Sequence, residues 1–157
     1  MSQYARNTST SIERSKGEIE RTLRRYGADN IVTGMSAAQG LAFVAFHYRR
    51  LPLRIRIPLP PADDERFSRS VGGKRKRTPD RARTEWEKAC RQQWRVLLLL
   101  IKGNLEAVEN GVMAAEEVFL PWLVLGGRVT VFDNVREGIA DALQSGQLKA
   151  LPFGRGG

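Results

Sequence analysis

The chain has 157 residues, 41% of them hydrophobic, with 26 Lys and Arg against 17 Asp and Glu, a net charge of +9 and a pI near 10.4. Such a chain can bury a core without metal or disulfide support, and its single cysteine, Cys90, excludes an intrachain bridge. Strictly apolar runs stop at six residues, Leu41–Phe46 and Val96–Ile101, far short of the roughly 18 that span a bilayer. No membrane partner is expected. The polar N-terminus has no signal-peptide core, which with the lone cysteine points to the cytoplasm.

The basic excess is uneven. Residues 1–60 hold 10 Lys and Arg against 4 Asp and Glu, residues 61–84 hold 8 against 4, and residues 85–157 hold 8 against 9. Cations gathered on one part of a chain fit a polyanion, because they release the counterions condensed on phosphate.

Residues 1–9 are polar and expected to fray. A helix follows. Thr10 and Glu13, or Ser15 and Glu18, have capping-box spacing, and Ile12, Ile19, Leu23 and Tyr26 fall near one stripe. Gly27 sits where a C-terminal cap wants positive φ. Arg14, Arg21, Arg24 and Arg25 lie off the stripe. Residues 30–59 then read as a three-stranded antiparallel meander: a weak strand Asn30–Met35, a strong one Leu41–Tyr48, and the alternating Leu53, Ile55, Ile57 and Leu59. Arg49-Arg50 is the tight connection, without the Asn or Gly usual there. Alternation puts Arg54 and Arg56 on the face opposite the aliphatics. Pro52 and Pro58 mark an edge strand. Phe43 and Phe46 point to opposite faces by parity, with core packing favoured for Phe43.

Residues 61–77 read as a mobile basic loop, with Gly72-Gly73 and the tetrad Lys74, Arg75, Lys76 and Arg77. Thr78-Pro79-Asp80 starts a helix that runs to about Asn110 and stops at Gly111, with a possible bend at Gly103. Its core stripe is Trp86, Cys90, Leu97, Ile101 and Val108, widened by Trp94, Leu98 and Leu105. The run Val96–Ile101 is apolar all round and is expected to be covered on more than one side, by the sheet and by either the C-terminal region or a second protomer. Ala114–Trp122 predicts a short helix limited by Pro121, and Leu123–Val131 a small hairpin about Gly126-Gly127. A last helix, capped at Asp133 or Asn134, runs to Gln144 with Val135, Ile139 and Leu143 inward. The glycine-rich tail, residues 148–157, is expected to be loose. The fold class is α+β: an N-terminal helix, the meander, a long covering helix and a small mixed C-terminal region, in one domain.

Catalytic patterns are missing. His47 is the single histidine and reads as a structural or surface residue. Zinc spacing, a phosphate-binding P-loop and a G-x-S-x-G nucleophile turn are absent. Glu106, Glu109, Glu116 and Glu117 read as a solvated acidic face, which leaves metal-dependent nuclease chemistry the weakest option. Neither cofactor nor metal is expected, and the chain does not read as an enzyme. The candidate nucleic-acid-binding residues are Arg49, Arg50, Arg54, Arg56, Lys74, Arg75, Lys76 and Arg77, with Tyr48 as the accompanying aromatic, since stacking on a base tolerates any sequence. Backbone contact fits better than base readout by a recognition helix.

Three stretches resemble a group of short uncharacterised phage and prophage proteins: EIERTLRRYGA at 18–28, IPLP at 57–60 and WEKACRQQWR at 86–95. The resemblance covers roughly residues 10–125 and implies a phage or mobile-element setting. The order helix, meander, long helix is also similar, by topology alone, to single-strand annealing proteins. Together these lead to the expectation of a non-enzymatic protein that binds single-stranded DNA through its backbone in phage replication or recombination, as a homo-oligomer. The alternative is a protein-binding adaptor or inhibitor of a host factor.

Overall fold

The computed structural model describes the backbone of residues 3–147 and the side chains of residues 12–147. The expected loose tail lies outside them. The elements are helix α1 (Gln3–Arg25), strands β1 (Asp29–Ser36), β2 (Leu41–Tyr48) and β3 (Leu51–Pro58), a helical turn α2 (Glu65–Ser68), the long helix α3 (Pro79–Glu109), α4 (Ala115–Phe119) with a 3-10 turn at Leu120–Trp122, the hairpin β4 (Val124–Gly126) and β5 (Val129–Thr130), and α5 (Val131–Ser145). The chain is α+β, as its periodicities predict.

Helix α1 begins at Gln3, well before the capping pairs at Thr10 and Ser15. Ile12, Ser15, Ile19, Thr22 and Leu23 form its buried stripe. That stripe packs against α3, whose Cys90, Trp94, Leu97, Ile101, Leu105 and Val108 are buried in the same hydrophobic cluster. Thr78 caps α3 by accepting from the Arg81 amide, and Pro79 opens the first turn. The helix is continuous through Gly103 and ends at Gly111, whose φ is 68°.

The sheet has the order β1-β2-β3, antiparallel throughout. Ala42, Val44, Phe46, Tyr48, Leu53 and Ile55 point into the core. Two hydrogen bonds tie α3 across this inner face, one at each end: Trp86 Nε1 donates to the Pro60 carbonyl at 2.7 Å, and Tyr48 Oη donates to Glu109 at 2.8 Å. Phe119 closes the core with edge-on contacts to Phe46 and Tyr48, at centroid distances of 6.0 and 5.8 Å.

Four expectations need correction. The loop at 61–77 contains α2, buries Phe67, and forms an isolated bridge between Arg69 and Lys76. Of the two covers expected for the far side of the apolar run of α3, the described C-terminal region is not the one: Leu97 and Ile101 are buried, whereas Val96, Leu99 and Leu100 are 49%, 69% and 40% exposed in the single chain. The last helix is capped by Thr130, which forms a reciprocal capping box with Asp133. Its Ile139 and Leu143 point outward, and among the described residues α5 buries no side chain.

Candidate nucleic-acid interface

The outer face of the sheet is built by the residues that alternate with the core. Cross-strand pairing sets Gly34 beside Phe43 and Phe43 beside Arg56, and it sets Val32 beside Ala45 and Ala45 beside Arg54. The third wall comes from the C-terminal hairpin. Leu123 bridges to Leu53 on the edge of β3, which docks β4 and β5 next to the sheet and brings Val124, Gly127 and Arg128 to the same depression. The result is an open trough of about 760 Å³, floored mainly by small or apolar side chains and rimmed by Arg54, Arg56 and Arg128.

These three arginines are short of counter-charge. Arg56 is paired with Asp133. Arg54 makes no direct ion pair among the described residues and feels Asp133 only at longer range, and its Nε is shut off from water without an acceptor. Burial, then repulsion from Arg56 and Arg128, makes Arg54 a weaker base than an ordinary arginine, although a guanidinium stays charged at neutral pH. The Arg54 guanidinium lies 5.0 Å from the Phe43 ring centroid, in cation–π range. Asp133 has its acidity raised by the Thr130 amide and hydroxyl and by Arg56. It remains a carboxylate under all ordinary conditions and partly neutralises the rim.

Arg54 and Arg56 share the outer face, as alternation predicts. The other expected residues lie elsewhere. Tyr48 is a core residue, 1% exposed, so it offers no ring to a ligand. Its even position in β2 aims it inward with Phe46, and burial followed by the Glu109 hydrogen bond pushes its phenol up to about 12. Arg49 and Arg50 form the two-residue turn between β2 and β3, with φ of 47° and 70°. Arg49 pairs with Glu109 at 3.2 Å, on the helix side, while Arg50 is exposed. Arg77 is structural: its Nη1 donates to the carbonyls of Arg66 and Phe67, both at 3.1 Å. Lys74, Arg75 and Lys76 are exposed, and Lys74 and Lys76 line a separate cleft that shares no lining residue with the trough. His47 stands at the end of the outer face, with Nδ1 3.0 Å from the Asn30 amide nitrogen.

Sequence reasoning missed Phe43 and Arg128. Parity allows Phe43 on the outer face, but core packing is favoured for it. Arg128 joins the site only because the hairpin docks on β3, a tertiary contact without a local signal. Glu106 and Glu109 are engaged by Tyr26, Tyr48, Arg49 and Asn110. Among the described residues no group of three or more His, Cys, Asp or Glu is placed to hold a metal ion. No described helix is long and apolar enough to cross a membrane.

Comparison with protein-family models, with curated proteins and with solved structures finds no match to this chain.

Proposed function

We propose that this chain is a non-enzymatic nucleic-acid-binding protein that holds phosphate on the outer face of its sheet. The observation that carries the reading is the rim of Arg54, Arg56 and Arg128 with one carboxylate, Asp133, among them. Folding brings three like charges together and desolvates one of them. Such an arrangement costs stability within the chain, and an anion would offset that cost. A polyanion suits it better than a small anion, because further exposed cations, Arg50 in the β2–β3 turn and Lys74, Arg75 and Lys76 before α3, offer additional phosphate contacts away from the trough. The resemblance of three stretches to phage and prophage proteins supports a setting in phage replication or recombination, in the cytoplasm.

A salt titration of binding to single- and double-stranded oligonucleotides tests the reading. Affinity should fall linearly on a log–log plot, with a slope of about −0.7 per phosphate neutralised on a single strand. Replacing Arg54, Arg56 and Arg128 together by alanine should lower that slope by about two. Binding that ignores salt, or a triple variant that binds like the wild type, would remove the sheet from the mechanism. Absence of binding at low salt would favour the adaptor, whose basic face meets an acidic protein.

Self-association belongs to the same reading. One chain presents two apolar faces: Val96, Leu99 and Leu100 on α3, and Phe132, Ile139 and Leu143 on α5, which packs on the Leu120–Trp122 turn and β5. A second copy would cover both faces at once, with α5 of one molecule on α3 of the next. Such a head-to-tail contact repeats into a ring or a filament. Sedimentation velocity should show assemblies that Leu99→Glu reduces to monomers without unfolding. A wild type that is monomeric at tens of micromolar, where interfaces of roughly 6 kcal/mol or weaker dissociate, rules the contact out.

A further inference from the structure

The rim of arginines accounts for phosphate but not for the floor between them. Phe43 stands on the central strand, at the middle of the outer face, and is only half-buried. Its ring lies across β1 at Gly34. A Cβ at position 34 would fall 2.3 Å from Phe43 Cε1, so only glycine leaves room for the ring there. Gly34 has an ordinary negative φ, since it is not among the residues with positive φ, so its requirement is space and not backbone conformation. Around the ring the floor is Val32, Ala45 and Pro52, side chains that are small or flat. The ring is thus packed on Gly34 and only half-buried, which leaves aromatic surface exposed in the trough.

A duplex presents phosphates outward and keeps its bases stacked inside. A single strand presents both together, and unstacked bases are held on aromatic rings and guanidinium planes. The trough has both parts in contact: the Phe43 ring, and over it the Arg54 guanidinium, 5.0 Å from its centroid with an unsatisfied Nε. Resting on the phosphate-binding reading above, we propose that the Phe43–Arg54 pair is a stacking platform for an unpaired base, with Arg56 and Arg128 on the adjoining phosphates, so that the trough selects single strands over duplexes. The ligand class is an unstructured single-stranded nucleic acid, held without base identity at the platform, since every base has a π face.

The test compares two probes of equal length by fluorescence anisotropy: an oligothymidylate and an abasic deoxyribose-phosphate chain. The wild type should prefer the base-bearing chain by roughly five- to 150-fold, the range for one stacked base. Phe43→Leu should lose most of that preference, keep its affinity for the abasic chain and keep its salt slope. Phe43→Trp should retain the preference, which excludes a general loss of fold as the cause. Equal wild-type affinity for the two probes overturns the proposal and leaves the phosphate reading standing, as does full preference in Phe43→Leu. Tighter binding of a duplex of the same length also overturns it. Failure of the wild type to bind either probe at low salt overturns the phosphate reading itself.

Discussion

The two faces of the one sheet are made by neighbouring residues on the same strands, yet they are opposites in chemistry. Phe46, Tyr48, Leu53 and Ile55 are each no more than 2% exposed and meet helix α3 and Phe119. Phe43, Ala45, Arg54 and Arg56, on the opposite face, line an open trough that meets a helix only where Asp133 in the first turn of α5 pairs with Arg56, among the described residues. A period-two backbone cannot mix these sets, so one face can be optimised for burial while the other accumulates charge. The inner face should therefore govern stability and the outer face binding, with little crossover.

The largest effect should come from the inner face. Phe46→Ala removes a fully buried ring that packs on Phe119 at 6.0 Å, and should cost about 3–5 kcal/mol by denaturant unfolding. Its outer-face neighbour, changed by Phe43→Leu, should cost far less. Equal losses at the two sites would break the comparison.

Alkaline pH should also strike the inner face. Tyr48 is raised to about 12 and Cys90 to about 11, each by burial first. A raised folded pKa means that the folded state keeps its protons longer than the unfolded chain. The stability this contributes is full below the unfolded values, roughly 8.5 for Cys and 10 for Tyr, and is lost as pH rises through the folded ones. Melting temperature should fall from about pH 9 upward, and Cys90→Ala should delay the start of that fall.

At the trough, stability and binding should move in opposite directions. Asp133 completes the capping box of α5 and pairs with Arg56. Asp133→Ala should destabilise the protein by about 0.5–2 kcal/mol, the range for a lost cap, and tighten oligonucleotide binding by removing the carboxylate that pairs with Arg56 on the rim. Because the folded pKa of Asp133 is depressed, its stabilising contribution is complete above the usual aspartate value near 3.9 and is lost as pH falls through the depressed one. The wild-type and variant melting curves should converge there.

Smaller still is the turn. Arg49 and Arg50 both hold positive φ, which costs a non-glycine residue roughly 1–2 kcal/mol. Arg50→Gly should raise stability by about 1 kcal/mol, measured by urea unfolding, and slightly weaken polyanion binding through the lost charge. Arg54→Ala, which removes a crowded like charge and the unsatisfied Nε, should leave the melting temperature unchanged or raise it.

Much of this architecture was legible because it rests on local rules. The alternation at 53–59 placed Arg54 and Arg56, and Thr78-Pro79 with Gly111 bounded α3. What escaped were choices made by tertiary contact. Tyr48 and Phe43 are both aromatic, both on β2, and differ only in parity; the choice of inner face fell to α3 and Phe119. Arg128 is distant in sequence from the sheet it joins. The tetrad at 74–77 looked uniform, but Arg77 turns back to cap carbonyls of α2 while its neighbours face solvent.

The most direct test of the outer face as the binding surface is an NMR titration of the arginine side-chain Nε–H signals with a single-stranded oligonucleotide. The account predicts that Arg54, Arg56 and Arg128 shift together and saturate at one stoichiometry, with the Arg54 Nε–H gaining protection as it finds its acceptor. Shifts confined to Arg75 and the helix α1 arginines, with the three trough signals unmoved at saturation, would contradict it.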